Sequence, residues 1–279
     1  VAGEHLCELR PGQLRLVPRP PAETGVLTVR VADGEVVGDS WTPARIQADG
    51  LPLPLAGTEA RTAVRQWRDL RSGCAGLAFR PDPLPPYAAS VHPIGPELRA
   101  RMRFTHRPGC PVPLRELRYL RLRYVDFRGR ARTGELVVHG RVAPDVVRVF
   151  RRLYDARWPI EQMRLVDDHR GDDNRSMAAN NTSGHNCRPV AGSDTWSAHA
   201  YGTAIDVNPV QNPYIVGTSV RPPSGARFAT VDRSAAAQEI PGVIHDNDVV
   251  VNAFAAIGWE WGGHWTTSKD YQHFAAPGP

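Results

Sequence analysis

Leu117-Arg118-Tyr119-Leu120-Arg121-Leu122-Arg123-Tyr124-Val125-Asp126-Phe127 alternates apolar with basic residues, and Gly129 closes it. A period of two is what a strand with one buried face requires. Gly134-Glu135-Leu136-Val137-Val138-His139 reads as a second strand. From Pro144 to Ala156 the period changes. Val146, Val147, Phe150 and Leu153 form one helical stripe, and Pro144 suits the first turn. Met163 to Val166 and Ala204 to Val207 read as short strands, and Asp246 to Ile257 as a helix that Gly258 stops. Hairpins with helices segregated from them imply an α+β fold, a small antiparallel sheet flanked by helices, and not a doubly wound parallel sheet. The long stretch after Val166 is rich in Asp, Asn, Gly and Ser. It reads as an irregular connection too polar to be core, of the kind that often carries function.

Upstream, Pro81-Asp82-Pro83-Leu84-Pro85-Pro86 is extended and unfit for a helix or a central strand. Val91-His92-Pro93-Ile94-Gly95-Pro96 continues this character, so residues 81–96 are expected to be a Pro-rich linker. Residues 1–80 are then an N-terminal accessory region and 97–279 the main domain. In the first part, Val26 to Val31 alternates up to Asp33-Gly34, a hairpin signal, with Glu35-Val36-Val37 returning. Thr58 to Leu70 reads as a helix, with Thr58 as cap and Ala63, Val64, Trp67 and Leu70 on one side. A smaller α+β region is expected there, without visible chemistry.

The 279 residues are 41% hydrophobic and 23% charged, which suits a soluble globular chain with a full core. No apolar run is long enough for a membrane span. Val1-Ala2-Gly3-Glu4-His5 has neither the basic nor the apolar region of a secretory signal and there is no initiator Met, so the chain is expected to be a processed or trimmed product. The net charge is +5 and the pI near 9.3, nearly all from arginine, since Lys269 is the only lysine. No nucleic-acid motif accompanies that charge, so any anionic partner is expected in a cell envelope. Cys7, Cys74, Cys110 and Cys187 form no CxxC pair, which argues against a cysteine zinc site and for two disulfides. Pairing Cys7 with Cys74 and Cys110 with Cys187 keeps each bridge inside one unit. The chain is read as a monomer.

Chemistry concentrates in two segments. One is Ser197-Ala198-His199-Ala200-Tyr201-Gly202-Thr203-Ala204-Ile205-Asp206. The other is Gly258-Trp259-Glu260-Trp261-Gly262-Gly263-His264-Trp265, followed by Asp270-Tyr271-Gln272-His273-Phe274. A catalytic zinc takes three protein ligands and keeps one position for water. His199, Asp206 and His273 supply two imidazoles and a carboxylate, and Gly202 permits the tight turn that lets the first two converge. Asp270, three residues before His273, is set to act as a base on a bound water. His264 could replace His273, and His185 and His245 are looser alternatives.

The combination SxHxxGxAxD, WGGxW and DxxHF resembles the zinc peptidase superfamily of D-Ala-D-Ala carboxypeptidases, D-Ala-D-Ala dipeptidases and L-alanyl-D-glutamate peptidases. The resemblance runs over roughly residues 97–279 and leaves out 1–80. It implies a zinc cleft, bacterial cell-wall (peptidoglycan) peptides as substrate, Zn2+ on His199, Asp206 and His273, and Asp270 as general base. It also implies an oxyanion-stabilising arginine upstream of His199, nearest in position to Arg188, with Arg175 as competitor. Ser197 and Tyr201 are expected to orient ligands, and Trp261 and Trp265 to line the cleft. An Asp base leans toward the endopeptidase branch. The alternative is a non-catalytic zinc-binding wall or signalling module of the same fold.

Overall fold

The computed structural model describes residues 25–32, 35–46 and 52–54 as strands, and 84–190, 192–237 and 240–278 in full. The helix expected over 58–70, the Asp33-Gly34 turn and the Cys7–Cys74 bridge lie outside the described residues. The chain divides into two compact units, Val1–Pro83 and Leu84–Pro279. In the first, β1 (Gly25–Ala32) pairs antiparallel with β2 (Glu35–Ile46), and β2 with β3 (Pro52–Pro54). The return strand of the expected hairpin thus runs well beyond Val37.

The second unit is an α+β fold. It opens on β4 (Ala89–Pro93), which falls inside the segment read as a linker. That reading needs correcting here: β4 is an edge strand, the one place in a sheet where a proline's missing N–H costs no ladder bond. After α1 (Pro96–Arg101), β4 pairs with β5 (Leu117–Val125), and β5 with β6 (Ala131–His139), all antiparallel. Leu120 and Leu122 of β5 and Leu136 and Val138 of β6 face one side. Against them lies α2 (Ala143–Asp155) with Val146, Val149, Phe150 and Leu153. Asp145 in its first turn and Arg152 in its last oppose the helix dipole. Leu117 and Val137 face the other side and meet Met102, Val112 and Leu165 in a smaller cluster.

The polar stretch departs from its reading. β7 (Gln162–Met163) precedes it, and it holds a short 3-10 turn at Val166–His169, α3 (Asp173–Ala178) and β8 (Asn181–Thr182). Asn180, Asn181, Thr182, Ser183, His185 and Asn186 are buried, not solvated. Burial of Asn180 and Asn181 is tolerable because their amides are hydrogen-bonded. Asn181 Nδ2 donates to the Arg164 carbonyl and to Ser176 Oγ, and its Oδ1 accepts from Arg164 N. Asn180 Nδ2 donates to Gln211 Oε1, and Asn208 N to Thr182 Oγ1. The Cys110–Cys187 bridge forms as expected and ties this stretch to the chain after α1.

Two small antiparallel sheets follow. β9 (Ala204–Asp206) belongs to one; β10 (Tyr214–Val216) and β11 (Ser219–Arg221) form a hairpin of the other. α4 (Val249–Ala255) starts where Asp248 accepts from Val250 N and Val251 N, and Gly258 ends its turn at a positive φ of 78°. β12 (Glu260–Trp261), β13 (Lys269–Asp270) and β14 (His273–Ala275) complete the sheets in the orders β12-β14-β9 and β11-β10-β13. Phe254 of α4 stacks on Phe274 of β14 at 4.1 Å, so the main core reaches directly beneath the C-terminal motif. Among the described residues no helix is long and apolar enough to cross a membrane.

Candidate metal centre

His199 sits on a 3-10 turn, Ala198–Tyr201, that Ser197 caps: its Oγ accepts from His199 N. Gly202 ends the turn at φ 69°, and its carbonyl accepts from His139 N at 2.8 Å. A Cβ on Gly202 would stand 2.7 Å from that same nitrogen, so glycine is required by both the dihedral and the approach of β6. The chain then enters β9 and reaches Asp206 three residues into the strand. β9 pairs with β14 in the register His273↔Asp206, Phe274↔Ile205, Ala275↔Ala204. Directly opposed residues point to the same face, which brings His273 and Asp206 together.

His199 Nδ1 lies 2.7 Å from the Gly184 carbonyl and donates to it, which leaves Nε2 with a lone pair. That nitrogen is 3.2 Å from Asp206 Oδ2 and 3.2 Å from His273 Nδ1; His273 Nδ1 is 3.0 Å from Asp206 Oδ1. All three residues are buried. Ligands about 2.0–2.2 Å from a zinc ion occupy tetrahedral corners roughly 3.3 Å apart. The two nitrogens already stand at about that spacing, and each has a different oxygen of the Asp206 carboxylate beside it. Two imidazoles and a carboxylate with facing lone pairs require a cation among them, either a proton or a metal ion. The electrostatics agree. Burial raises the Asp206 carboxyl, but His199 and His273 outweigh it and hold it well below the usual range. Burial lowers His199, yet the Asp206 charge leaves it raised. The group fits a divalent metal by donor type, spacing and a fixed histidine tautomer, and among the described residues it could hold one.

Asp270 lies on β13, opposite Tyr214 of β10. Its Oδ1 is buried with no hydrogen-bond partner, and burial pushes the carboxyl up to about 7, with Asp206 adding to the rise and His273 opposing it. A carboxyl poised there can take or give a proton near neutrality. The WGG segment sets its position. A Cβ on Gly262 would fall 2.6 Å from the Asp270 carbonyl oxygen and 2.9 Å from its Cβ. Lys269 Nζ donates to the Gly263 carbonyl and Trp261 Nε1 to the Tyr271 carbonyl.

Arg188 adjoins the His199 turn through its backbone. Its backbone carbonyl accepts from Ser197 N, the cap of the His199 turn, and its charge acts on His199. Arg175 is exposed and paired with Asp172 at 3.3 Å. Trp265 is 39% exposed and its ring centre lies 5.5 Å from that of His273, at the mouth of the site. Trp261, expected in the cleft, is buried in the core and stacked on Phe274. An indole beside a fully buried phenylalanine gains more from packing than from the cleft. Tyr201, expected to orient a ligand, packs on the small cluster around Leu117. His264 is exposed and pairs with Asp246, while His185 is buried beside His106 and burial lowers it to about 3. His245 lies where its backbone N bonds Asp248. None of these three histidines joins the metal group. Asp173 and the Gly184 carbonyl contribute without having been singled out; the adjacent Asp172-Asp173 pair was the available signal for the first.

Residues 191–276 match the family model described as D-alanyl-D-alanine carboxypeptidase. The match takes in less than a third of the 279 residues but spans His199, Asp206, Asp270 and His273. Neither the curated proteins nor the solved structures return a match. The chain resembles the zinc peptidases of this type, and the match supports a cell-wall peptidase.

Proposed function

We propose that this chain is a zinc-dependent peptidase that hydrolyses peptide bonds in peptidoglycan stem peptides, as a D-Ala-D-Ala carboxypeptidase or an L-alanyl-D-glutamate endopeptidase. The observation that carries it is one buried cluster: His199, Asp206 and His273 with mutually facing donor atoms, and the buried Asp270 carboxyl, whose Oδ1 has no partner, near enough to feel the charges of His273 and Asp206. His199 Nε2, Asp206 and His273 Nδ1 would hold the ion. When bound, zinc supplies Lewis acidity that polarises the scissile carbonyl and acidifies a water. Asp270 accepts the proton of the attacking water and returns it to the leaving amine. Arg188 donates to the oxygen that gains charge. Trp265 borders the substrate at the rim. The Gly184 carbonyl keeps His199 in one tautomer throughout. The Cys110–Cys187 bridge supports an oxidising, extracellular or wall-associated setting, with wall peptides as the partner.

The test is product analysis by mass spectrometry after digestion of purified peptidoglycan, with and without a chelator. Loss of a terminal D-Ala assigns the carboxypeptidase. A new internal terminus between L-Ala and D-Glu assigns the endopeptidase. Turnover unaffected by complete metal removal would sink the zinc-dependent reading.

A further inference from the structure

Asp172 and Asp173 are neighbours with different tasks. Asp172 caps α3 by accepting from Arg175 N, and its carboxylate also pairs with the Arg175 side chain. Asp173 is not needed for the cap. It turns toward the other strand of the loop, where its Oδ2 accepts from Arg188 Nη2 at 2.6 Å. Arg188 Nη1 rests on the Pro189 carbonyl at 3.4 Å, and Nε is buried with no acceptor in the protein. Asp173 is also close enough for its charge to bear on both His199 and Asp270. The backbone on the Arg188 side is pinned independently: Cys187 is bridged to Cys110, and its N donates to the Thr105 carbonyl. What remains free is the guanidinium's direction, and Asp173 sets it.

We infer that Asp173 is a positioning residue for Arg188: it grips Nη2 and so fixes the direction of the guanidinium that is to meet the substrate oxygen that gains charge. This rests on the role of Arg188 proposed above. A carboxylate holds a guanidinium in a directional, charge-assisted bond, so the grip on Nη2 restricts the plane of the group. The competing account is a tie that only fastens α3 to the loop.

The experiment uses the zinc-loaded full chain and a soluble stem peptide, with Asp173→Asn, Arg188→Ala and the double variant. Asp173→Asn is expected to keep its zinc and its melting temperature. Its kcat should fall about 10–100-fold, the range for partners of site residues, with KM changed less than about threefold. The double variant should be no slower than Arg188→Ala within about twofold, because the two act as one unit. Added guanidinium should restore part of the rate to Arg188→Ala and none to the double variant, which lacks the carboxylate that would seat it. If Asp173→Asn does not fold, Asp173→Glu takes its place, and a carboxylate displaced by one methylene should show the same kcat loss. A wild-type kcat in the Asp173 variants, or losses that multiply in the double variant, overturns the inference while leaving Arg188 in its role. A fully active Arg188→Ala, or a wild type that cleaves no stem peptide, overturns both.

Discussion

Asp206 and His273 are direct cross-strand partners in β9 and β14, with Oδ1 and Nδ1 3.0 Å apart. The candidate metal group is therefore a consequence of strand register. One residue of slip would turn every side chain of β14 to the opposite face, and Phe274, paired with Ile205 in the core, holds the register against it.

From this arrangement, Asp206→Asn should lose zinc with little change in the apo fold. The amide replaces a charged ligand with a neutral one, so affinity should fall at least about 100-fold. Competition with a chromogenic chelator measures it. Zinc should also raise the melting temperature of the wild type and not of the variant, since only a folded state that binds is stabilised.

Gly262→Ala should fold but turn over slowly. Its methyl would press on the backbone of Asp270, and displacement of a catalytic group by about 1 Å can cost on the order of 100-fold. Steady-state kinetics at equal zinc content would show a lower kcat; an unchanged kcat would mean that Gly262 does not position the base.

Phe254→Ala should destabilise the unit by about 3–5 kcal/mol. Phe254 is fully buried, stacks on Phe274 and meets Trp259. Urea unfolding should show a lower midpoint, and zinc affinity should weaken with it because Phe274 adjoins His273.

Asp126 offers a pH test away from the centre. Burial would raise its carboxyl, but bonds from Arg130 N, the Arg132 and Arg130 side chains and Arg128 N lower it to about 2. A depressed carboxyl gives stability that is complete above the unfolded value of ~3.9 and is lost as pH falls through 2. The gain is about 1 kcal/mol, because both guanidinium partners are half exposed and screened. Asp126→Asn should be less stable than wild type at neutral pH, and the gap should close toward pH 2. A gap that stays constant with pH would contradict the ion-pair account.

The sheet of β5 and β6, the stripe on α2 and the spacing of the metal group were legible because each follows a short-range period or a tight turn. Leu120 and Leu122 alternate, and Gly202 marks its own turn. β4 was not legible, because its prolines signal an extended chain without saying whether that chain pairs. The buried amides of Asn180 and Asn181 were not legible either, since their partners, Gln211 and Val210 for the first, lie some thirty residues away. Trp261 and Trp265 have the same local pattern, and only the position of Phe274 separates core from rim. Asp173 looked like one more polar loop residue because Arg188, its partner, is distant in sequence.

The most direct test of the account pairs metal stoichiometry with turnover on wall peptides in wild type and Asp270→Asn. The account predicts one zinc per chain in both, with stem-peptide cleavage in the wild type and a loss of several orders of magnitude in the variant. Full cleavage by zinc-loaded Asp270→Asn, or a wild type that binds no zinc and still cleaves, would contradict it.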